Sequence, residues 1–204
     1  MNTMIFFYLS IIKKTRQFVK NYMTNLHDIS HDYNHINLVV KVARQIAKKE
    51  GIKKERDLFH IIMGALLHDI GDSKYTNIKQ SVIINNYLKR FCQLSNYDKR
   101  EIIKISAFVS LSKDISHDYN NKKLKLYIVQ DADRINSLGS IGIMRYIAYN
   151  INNSIKPSFN EIITNMTKRT KKIKSFIKTK TGKQLAQKQF KLISYFINNY
   201  NNGY

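Results

Sequence analysis

The stretch Ile61–Tyr75, IIMGALLHDIGDSKY, decides how this chain is read. It opens on an apolar helical run, and His68 and Asp69 follow where that run ends. Gly71 breaks the helix, and Asp72 lies just beyond it. An imidazole followed directly by a carboxylate at the end of a core helix is costly to bury unless a partner or a cation compensates it. The doublet therefore calls for further polar groups from elsewhere in the chain. His35 and Asp133 are the candidates, with Asp131 competing for the second place. Two imidazoles and two carboxylates suit a borderline or hard divalent ion: Mn²⁺, Fe²⁺, Co²⁺, Ni²⁺, Zn²⁺ or Mg²⁺. Neighbouring helical residues point about 100° apart, so one ion meets both 68 and 69 only near the helix end. The other ligands would arrive from facing helices.

Outward from that stretch the pattern is helical. The doublet closes a helix over Lys54–Asp69 whose stripe is Leu58, Ile61, Ile62, Ala65 and Leu66. Before it, Ile36, Val39, Val40, Ala43, Ile46 and Ala47 recur at helical spacing over His35–Lys48. Asp32 or Asn34 can cap that helix, and Gly51 can end it. Further helices are expected over Ile5–Met23, Ile78–Leu94, Tyr97–Leu111, Lys123–Leu138, Ile141–Asn150, Pro157–Phe176 and Gly182–Asn199, with Lys113–Lys122 as a polar loop. Strand patterns are missing, and 7 Gly with 1 Pro are too few for a turn-rich all-β design. The expectation is an all-α bundle of one domain over residues 1–204, with the metal site in its core. DISHDYN occurs at Asp28–Asn34 and again at Asp114–Asn120, but the flanks disagree, so no duplication is inferred. His117 in the second copy is a candidate for the rim of the site, whereas His27 and His60 are taken as ordinary histidines.

Composition narrows the class. At 43% hydrophobic residues, 204 residues can bury a real core. A single cysteine excludes an intramolecular disulfide framework and a Cys-rich zinc site, so a reducing, cytoplasmic setting is expected. Cys92 itself, in YLKRFCQL, reads as a small core residue. No run reaches the roughly 18 apolar residues of a membrane span. Met4–Ile12 is apolar but short, lacks the marks of a signal peptide, and reads as the start of a docked helix. The net charge of +21 is unevenly spread: no acid follows Glu161, while Lys168, Arg169, Lys171, Lys172, Lys174, Lys178, Lys180, Lys183, Lys188 and Lys191 do. Such a run is either a solvated face or an electrostatic footprint for nucleic acid.

Three segments together resemble the HD-domain superfamily of metal-dependent phosphohydrolases. HDYNHINLV at His31–Val39 resembles the segment HDWxHIxRV of a bacterial subgroup of nucleotide pyrophosphohydrolases. ALLHDIGDSKY at Ala65–Tyr75 resembles its ALLHDIxDxK, and IVQDADRINSLGSIGIMR at Ile128–Arg145 resembles its IVQDADRLDALGAIGIAR. The resemblance spans residues 13–150 and leaves 151–204 as basic C-terminal helices packed on that core. It implies one divalent metal, Mn²⁺ favoured, held by His35, His68, Asp69 and Asp133. It implies Asp72 as the proton-transfer group, and His31, Lys74, Asp131 and Arg134 around the substrate. Leu38 and Asn136 depart from the subgroup, which has Arg and Asp there.

The implied reaction is hydrolysis of a phosphate ester or anhydride, through a metal-activated water, on a phosphorylated small molecule such as a nucleotide. Two other classes compete. A polyanion-binding protein would keep the fold but bind through its basic C-terminal helices, with steep salt dependence. A metal-stabilised structural module would bind the ion without turnover.

Overall fold

The structure is a computed structural model that describes residues 3–25, 32–73, 76–114, 123–153 and 158–203. Nine α-helices and no strands occur among them: α1 Thr3–Thr24, α2 Tyr33–Lys49, α3 Glu55–Leu67, α4 Gln80–Leu88, α5 Asn96–Ala107, α6 Leu124–Asn136, α7 Gly139–Asn153, α8 Phe159–Phe176 and α9 Lys180–Asn202. The all-α expectation holds.

The centre of the bundle is α3. Every residue from Phe59 to Leu67 is buried, because α1, α2, α5 and α6 surround it. That explains an apolar run wider than one stripe: a helix covered on all sides gains nothing from a polar face. Gly64 is needed at the closest approach, since a Cβ there would collide with Cγ2 of Ile105 on α5. The apolar start of α1 docks as expected: Tyr8 stacks on Phe59 of α3 with ring centroids 4.1 Å apart, and Ile11 is buried. No described helix is long and apolar enough to cross a membrane.

Local signals set most boundaries. Asp32 caps α2 by accepting from the backbone N–H of His35 at 2.9 Å. Ser158 and Glu161 form a capping box that starts α8. The helix expected over Ile78–Leu94 is shorter: α4 stops at Leu88, and tighter turns follow, with Phe91 N–H bonded to Leu88 O at 3.1 Å and Leu94 N–H to Phe91 O at 3.1 Å. This change of period turns Phe91 and Leu94 inward and leaves Cys92 exposed, which corrects its reading as a core residue. The helix carrying the doublet also ends early, at Leu67, so His68 is its C-cap and Asp69 sits on the following turn.

The C-terminal helices are tied to the bundle through Asp131. Its buried carboxylate accepts from Lys178 N–H at 2.9 Å, and from Thr179 N–H and Thr179 Oγ1 at 2.7 Å each. Those donors lie at the start of α9, where a negative charge also meets the favourable end of the helix dipole. α9 then packs on α6 and α7, and α8 on α7 and α9.

A second polar cluster joins α3 to α5. Asp98 accepts from Arg56 Nε at 2.7 Å and lies 2.7 Å from His60 Nε2. Lys125 Nζ approaches His60 Nδ1 at 3.3 Å and pairs with Glu101 at 2.8 Å. His60 is thus a satisfied core histidine. Burial alone would raise the Asp98 carboxyl, but hydrogen bonds from Arg56, Ser95 and His60 outweigh it and hold it well below the usual carboxylate range. A depressed carboxylate stabilises the fold above its unfolded-state pKa of about 3.9, and loses that contribution as pH falls through the folded-state value. Replacing Asp98 by Ala leaves the buried His60 without its partner, and should cost about 2 kcal/mol at neutral pH. Urea unfolding should show a lower midpoint at unchanged slope, with the gap to the parent narrowing below pH of about 4.

Candidate metal centre and its cavity

Three helices bring three of the four predicted ligands, His35, His68 and Asp133, to one point. His35 lies in the first turn of α2, held there by the Asp32 cap. His68 caps α3, and its Nδ1 donates to Ala65 O at 2.9 Å, which turns Nε2 inward. Asp133 lies in the last turn of α6. One ligand atom from each of His35, His68 and Asp133 falls within 4.8 Å of the others. Asp69 joins them from the turn: its Oδ2 is 3.5 Å from His35 Nε2, and its Oδ1 is 3.2 Å from His68 Nε2. Asp133 Oδ1 lies 3.3 Å from His35 Nε2 and 3.7 Å from His68 Nε2.

The turn that carries the doublet is held from both sides. Gly71 adopts φ +72°, a left-handed conformation that favours glycine, and its N–H donates to the Tyr22 hydroxyl at 3.2 Å. Gln80 Nε2 donates to the carbonyl of His68 at 2.5 Å. Neither Tyr22 nor Gln80 carries a sequence signal for this role.

Two observations fit a cation at this point. The donor set itself is the first. The second is His68 Nε2, a buried nitrogen with no hydrogen bond of acceptable geometry even though two carboxylates stand near it. Charge is distributed to match. Burial works against a proton on His68, but the carboxylates of Asp69 and Asp133 outweigh it and push its pKa up to about 9. Burial dominates at His35 and lowers it, so that ring is neutral. Burial would raise Asp133, yet the imidazoles of His35 and His68 beside it hold it far below the carboxylate range. The side chains of Asp69 and Asp133 are 18% and 23% exposed against 2% and 3% for His35 and His68, so the site opens on its carboxylate side.

It opens into a cavity of about 850 Å³, within the usual size of a small-molecule site. Asp72 lines it one turn beyond the doublet, and Lys79, Lys113, Arg145 and Arg169 add positive charge. Tyr146 and Tyr149 supply aromatic surface. Arg169 sits over the Tyr146 ring, 5.5 Å from its centroid, and reaches Ser137 O at 3.5 Å. Burial lowers its pKa, partly offset by Asp133, but a guanidinium stays charged.

Other predicted residues are placed elsewhere. Asp131 was expected on the substrate side. It is instead consumed by the α9 junction, because two residues along a helix turn a side chain by about 200° and Asp133 holds the opposite face. Arg134 reaches the cavity wall, but Nη1 donates to Phe176 O at 2.6 Å and Nη2 to Asp114 at 2.5 Å. It fastens α8 while standing in the cavity wall. His31, Lys74 and the rim candidate His117 lie outside the described residues, as does His27. Arg145, Arg169, Tyr146 and Tyr149 line the cavity without a sequence signal that places them there. Arg145 stood within a recognised segment without a role, and Arg169 was one cation in a long basic run.

The HD domain family model matches residues 32–138. Protein L803 of Acanthamoeba polyphaga mimivirus is 27% identical over 154 residues, which is 70% of this chain. YpgQ of Bacillus subtilis is 26% identical over 134 residues, or 65% of this chain. The matches span 62% and 63% of those two proteins. Among solved structures, an HD-superfamily hydrolase from Bacillus thuringiensis superposes with a TM-score of 0.73 at 25% identity, covering 96% of this chain and 97% of its own. YpgQ in complex with ADP superposes with a TM-score of 0.73 at 21% identity, covering 94% and 97%.

The proton that His68 holds sets a pH dependence. His35 is neutral and Asp133 is ionised, so a cation entering at neutral pH displaces about one proton, from His68. Apparent affinity for Zn²⁺ should rise about tenfold per pH unit from 6 to 8. Calorimetry in buffers of different ionisation enthalpy should count about one proton released per ion. An affinity indifferent to pH would contradict the charge distribution described above.

Proposed function

The chain belongs to the HD domain family, and we propose that it is a metal-dependent phosphohydrolase that cleaves a phosphate ester or anhydride bond of a nucleotide. One observation carries this reading: His35, His68 and Asp133 converge at a cavity whose lining holds three arginines, two lysines and two tyrosines. A hydrophobic ligand has no use for such walls. A phosphate chain needs the cations, and a base ring can lie on an aromatic side chain. The ADP bound by YpgQ, a protein of the same fold, agrees with a nucleotide.

His35, His68, Asp69 and Asp133 would hold the ion. When bound, it supplies Lewis acidity to a phosphate oxygen and to the attacking water. The remaining work belongs to the chain. Arg145 and Arg169 bind the non-reacting phosphate oxygens and fix the phosphorus in line for attack. Lys79 and Lys113 draw the anion into the cavity. Asp72 moves the proton, taking it from the water or giving it to the leaving oxygen. Tyr146 and Tyr149 orient the nucleoside. Asp69 and Asp133 keep the site anionic, so that a cation is held there in preference to the substrate alone.

Part of the basic C-terminal run is used inside the protein. Lys178 Nζ pairs with Asp114 at 2.7 Å, and Arg169 faces the cavity. The nucleic-acid reading, which rests on that run as a free surface, is correspondingly weaker.

A screen of metals against substrates tests the proposal. Chelated protein reloaded with Mn²⁺, Co²⁺, Ni²⁺ or Mg²⁺ would be offered nucleoside mono-, di- and triphosphates and a generic phosphodiester. Hydrolysis is expected with at least one pair; its absence from all would sink the enzyme reading. Asp133→Ala should lose both metal and turnover. Asp131→Ala should keep the metal and lose about 2 kcal/mol of stability through the α9 junction. The reverse pattern would reassign the ligand.

A further inference from the structure

α7 and α9 pack together, and Gly139 permits a close approach, since a Cβ there would collide with Oε1 of Gln189. A groove of about 510 Å³ lies between the two helices. Its more buried lining is Ile143 and Phe196, and its exposed lining includes Met144, Leu192 and Tyr195. Met144 and Tyr195 are each 70% exposed, from opposite walls. The core does not need these side chains, because α9 already turns Ile193 and Ile197 inward. Tyr200 is fixed in the lining by donating its hydroxyl to Asn160 Oδ1 at 2.8 Å. An apolar surface gathered in one concave place, rather than scattered singly, marks an interaction site.

Charge around the groove has one sign. Residues 188, 191, 192 and 195 recur at helical spacing, so Lys188 and Lys191, both exposed, share a face with Leu192 and Tyr195. Neither α7 nor α9 contains an acidic residue. Glu161, beside Asn160 on α8, is taken up by the Ser158 capping box. No residue lines both this groove and the cavity of the metal centre, so the two are separate sites.

We infer that the α7–α9 groove is a docking site for an amphipathic helix of a partner protein, one whose apolar ridge is flanked by acidic side chains. Such a ridge, built from residues at i, i+3, i+4 and i+7, fills an apolar groove while its flanks stay at the rim. Leu192 to Tyr200 span about 12 Å along α9, which matches about two turns of the incoming helix. Lys188 and Lys191 then meet acids of the partner. Charge selects against a second copy of this chain, because a two-fold contact would set these lysines against themselves. Shape selects against a bilayer, which is flat over this distance and would touch Met144 and Tyr195 without reaching Ile143 between them.

Two labelled helical peptides test the inference by fluorescence anisotropy with the full chain. Both carry leucine at i, i+3, i+4 and i+7; the remaining positions are glutamate in one and lysine in the other. The glutamate peptide should bind, more weakly as salt is raised, and the lysine peptide should not. Met144→Glu and Tyr195→Glu should each weaken the glutamate peptide at least about tenfold. Lys188→Glu combined with Lys191→Glu should lose that peptide and gain the lysine one. All four side chains are exposed, so thermal unfolding of the variants should match the parent, which separates a lost contact from a lost fold. Glutamate-peptide binding that ignores Met144→Glu and Tyr195→Glu would place it on the basic surface at large and overturn the groove. Equal binding of both peptides, or binding of neither, would overturn the stated partner. Sedimentation of the parent as a dimer that Met144→Glu dissociates would reassign the groove to a second copy. Binding to phosphatidylserine vesicles that the same variant abolishes would reassign it to a membrane surface.

Discussion

The architecture depends on keeping two carboxylates beside each other at the meeting point of three helices. Carboxylates that share a site repel each other, the more so where water is excluded. Asp69 and Asp133 are separated by the inward nitrogens of His35 and His68, and a proton or a cation between them neutralises the repulsion. Several features of the bundle serve this arrangement. The Asp32 cap fixes the start of α2 so that His35 enters the site. Gly64 lets α5 close on α3, and Gly71 turns the chain sharply enough for Asp69 to face back. Tyr22 and Gln80 then hold that turn.

The cluster around Asp98 uses the same residue types and shows what distinguishes a staple from a site. There, His60 has a partner on each ring nitrogen, and Asp98 is enclosed by Arg56, Ser95 and His60. Nothing is left over. In the metal centre, His68 Nε2 lacks a hydrogen bond and both carboxylates open to a cavity. His60 and His68 lie on or at the end of one helix, yet one closes a network and the other leaves one open. An unfinished network at the floor of a cavity is the more informative of the two, because burial makes incompleteness expensive.

That contrast also marks how far the sequence could be read. Helix order, a cap at Asp32 or Asn34 and a helix end near the doublet were visible, because each rests on local spacing, and the doublet itself stood out as a costly residue pair. The choice between Asp131 and Asp133 was visible only in part: a two-residue offset on a helix says that they face apart, but not which one faces inward. The early end of α4 and the exposure of Cys92 were hidden, since the apolar period runs on through Phe91 and Leu94 while the backbone tightens beneath it. Arg145 and Arg169 were hidden for another reason. A cation aimed into a cavity and a cation in solvent have the same local sequence, and only the packing of distant helices separates them.

The division between the matched and unmatched parts of the chain has a physical meaning. Residues 32–138 match the family and contain all four proposed ligands. Arg145, Tyr146, Tyr149 and Arg169, which form much of the opposite wall, lie beyond that stretch. The two parts are joined by buried polar bonds, from Asp131 to the start of α9 and from Arg134 to the end of α8. Those bonds act at a distance from the centre, yet they set where α8 lies and therefore where Arg169 meets the cavity. On the proposed reading, the cation is held by the three crossing helices. On the same reading, the side chains that would meet the substrate come in part from α7 and α8, which the two anchors on α6 help to keep in place.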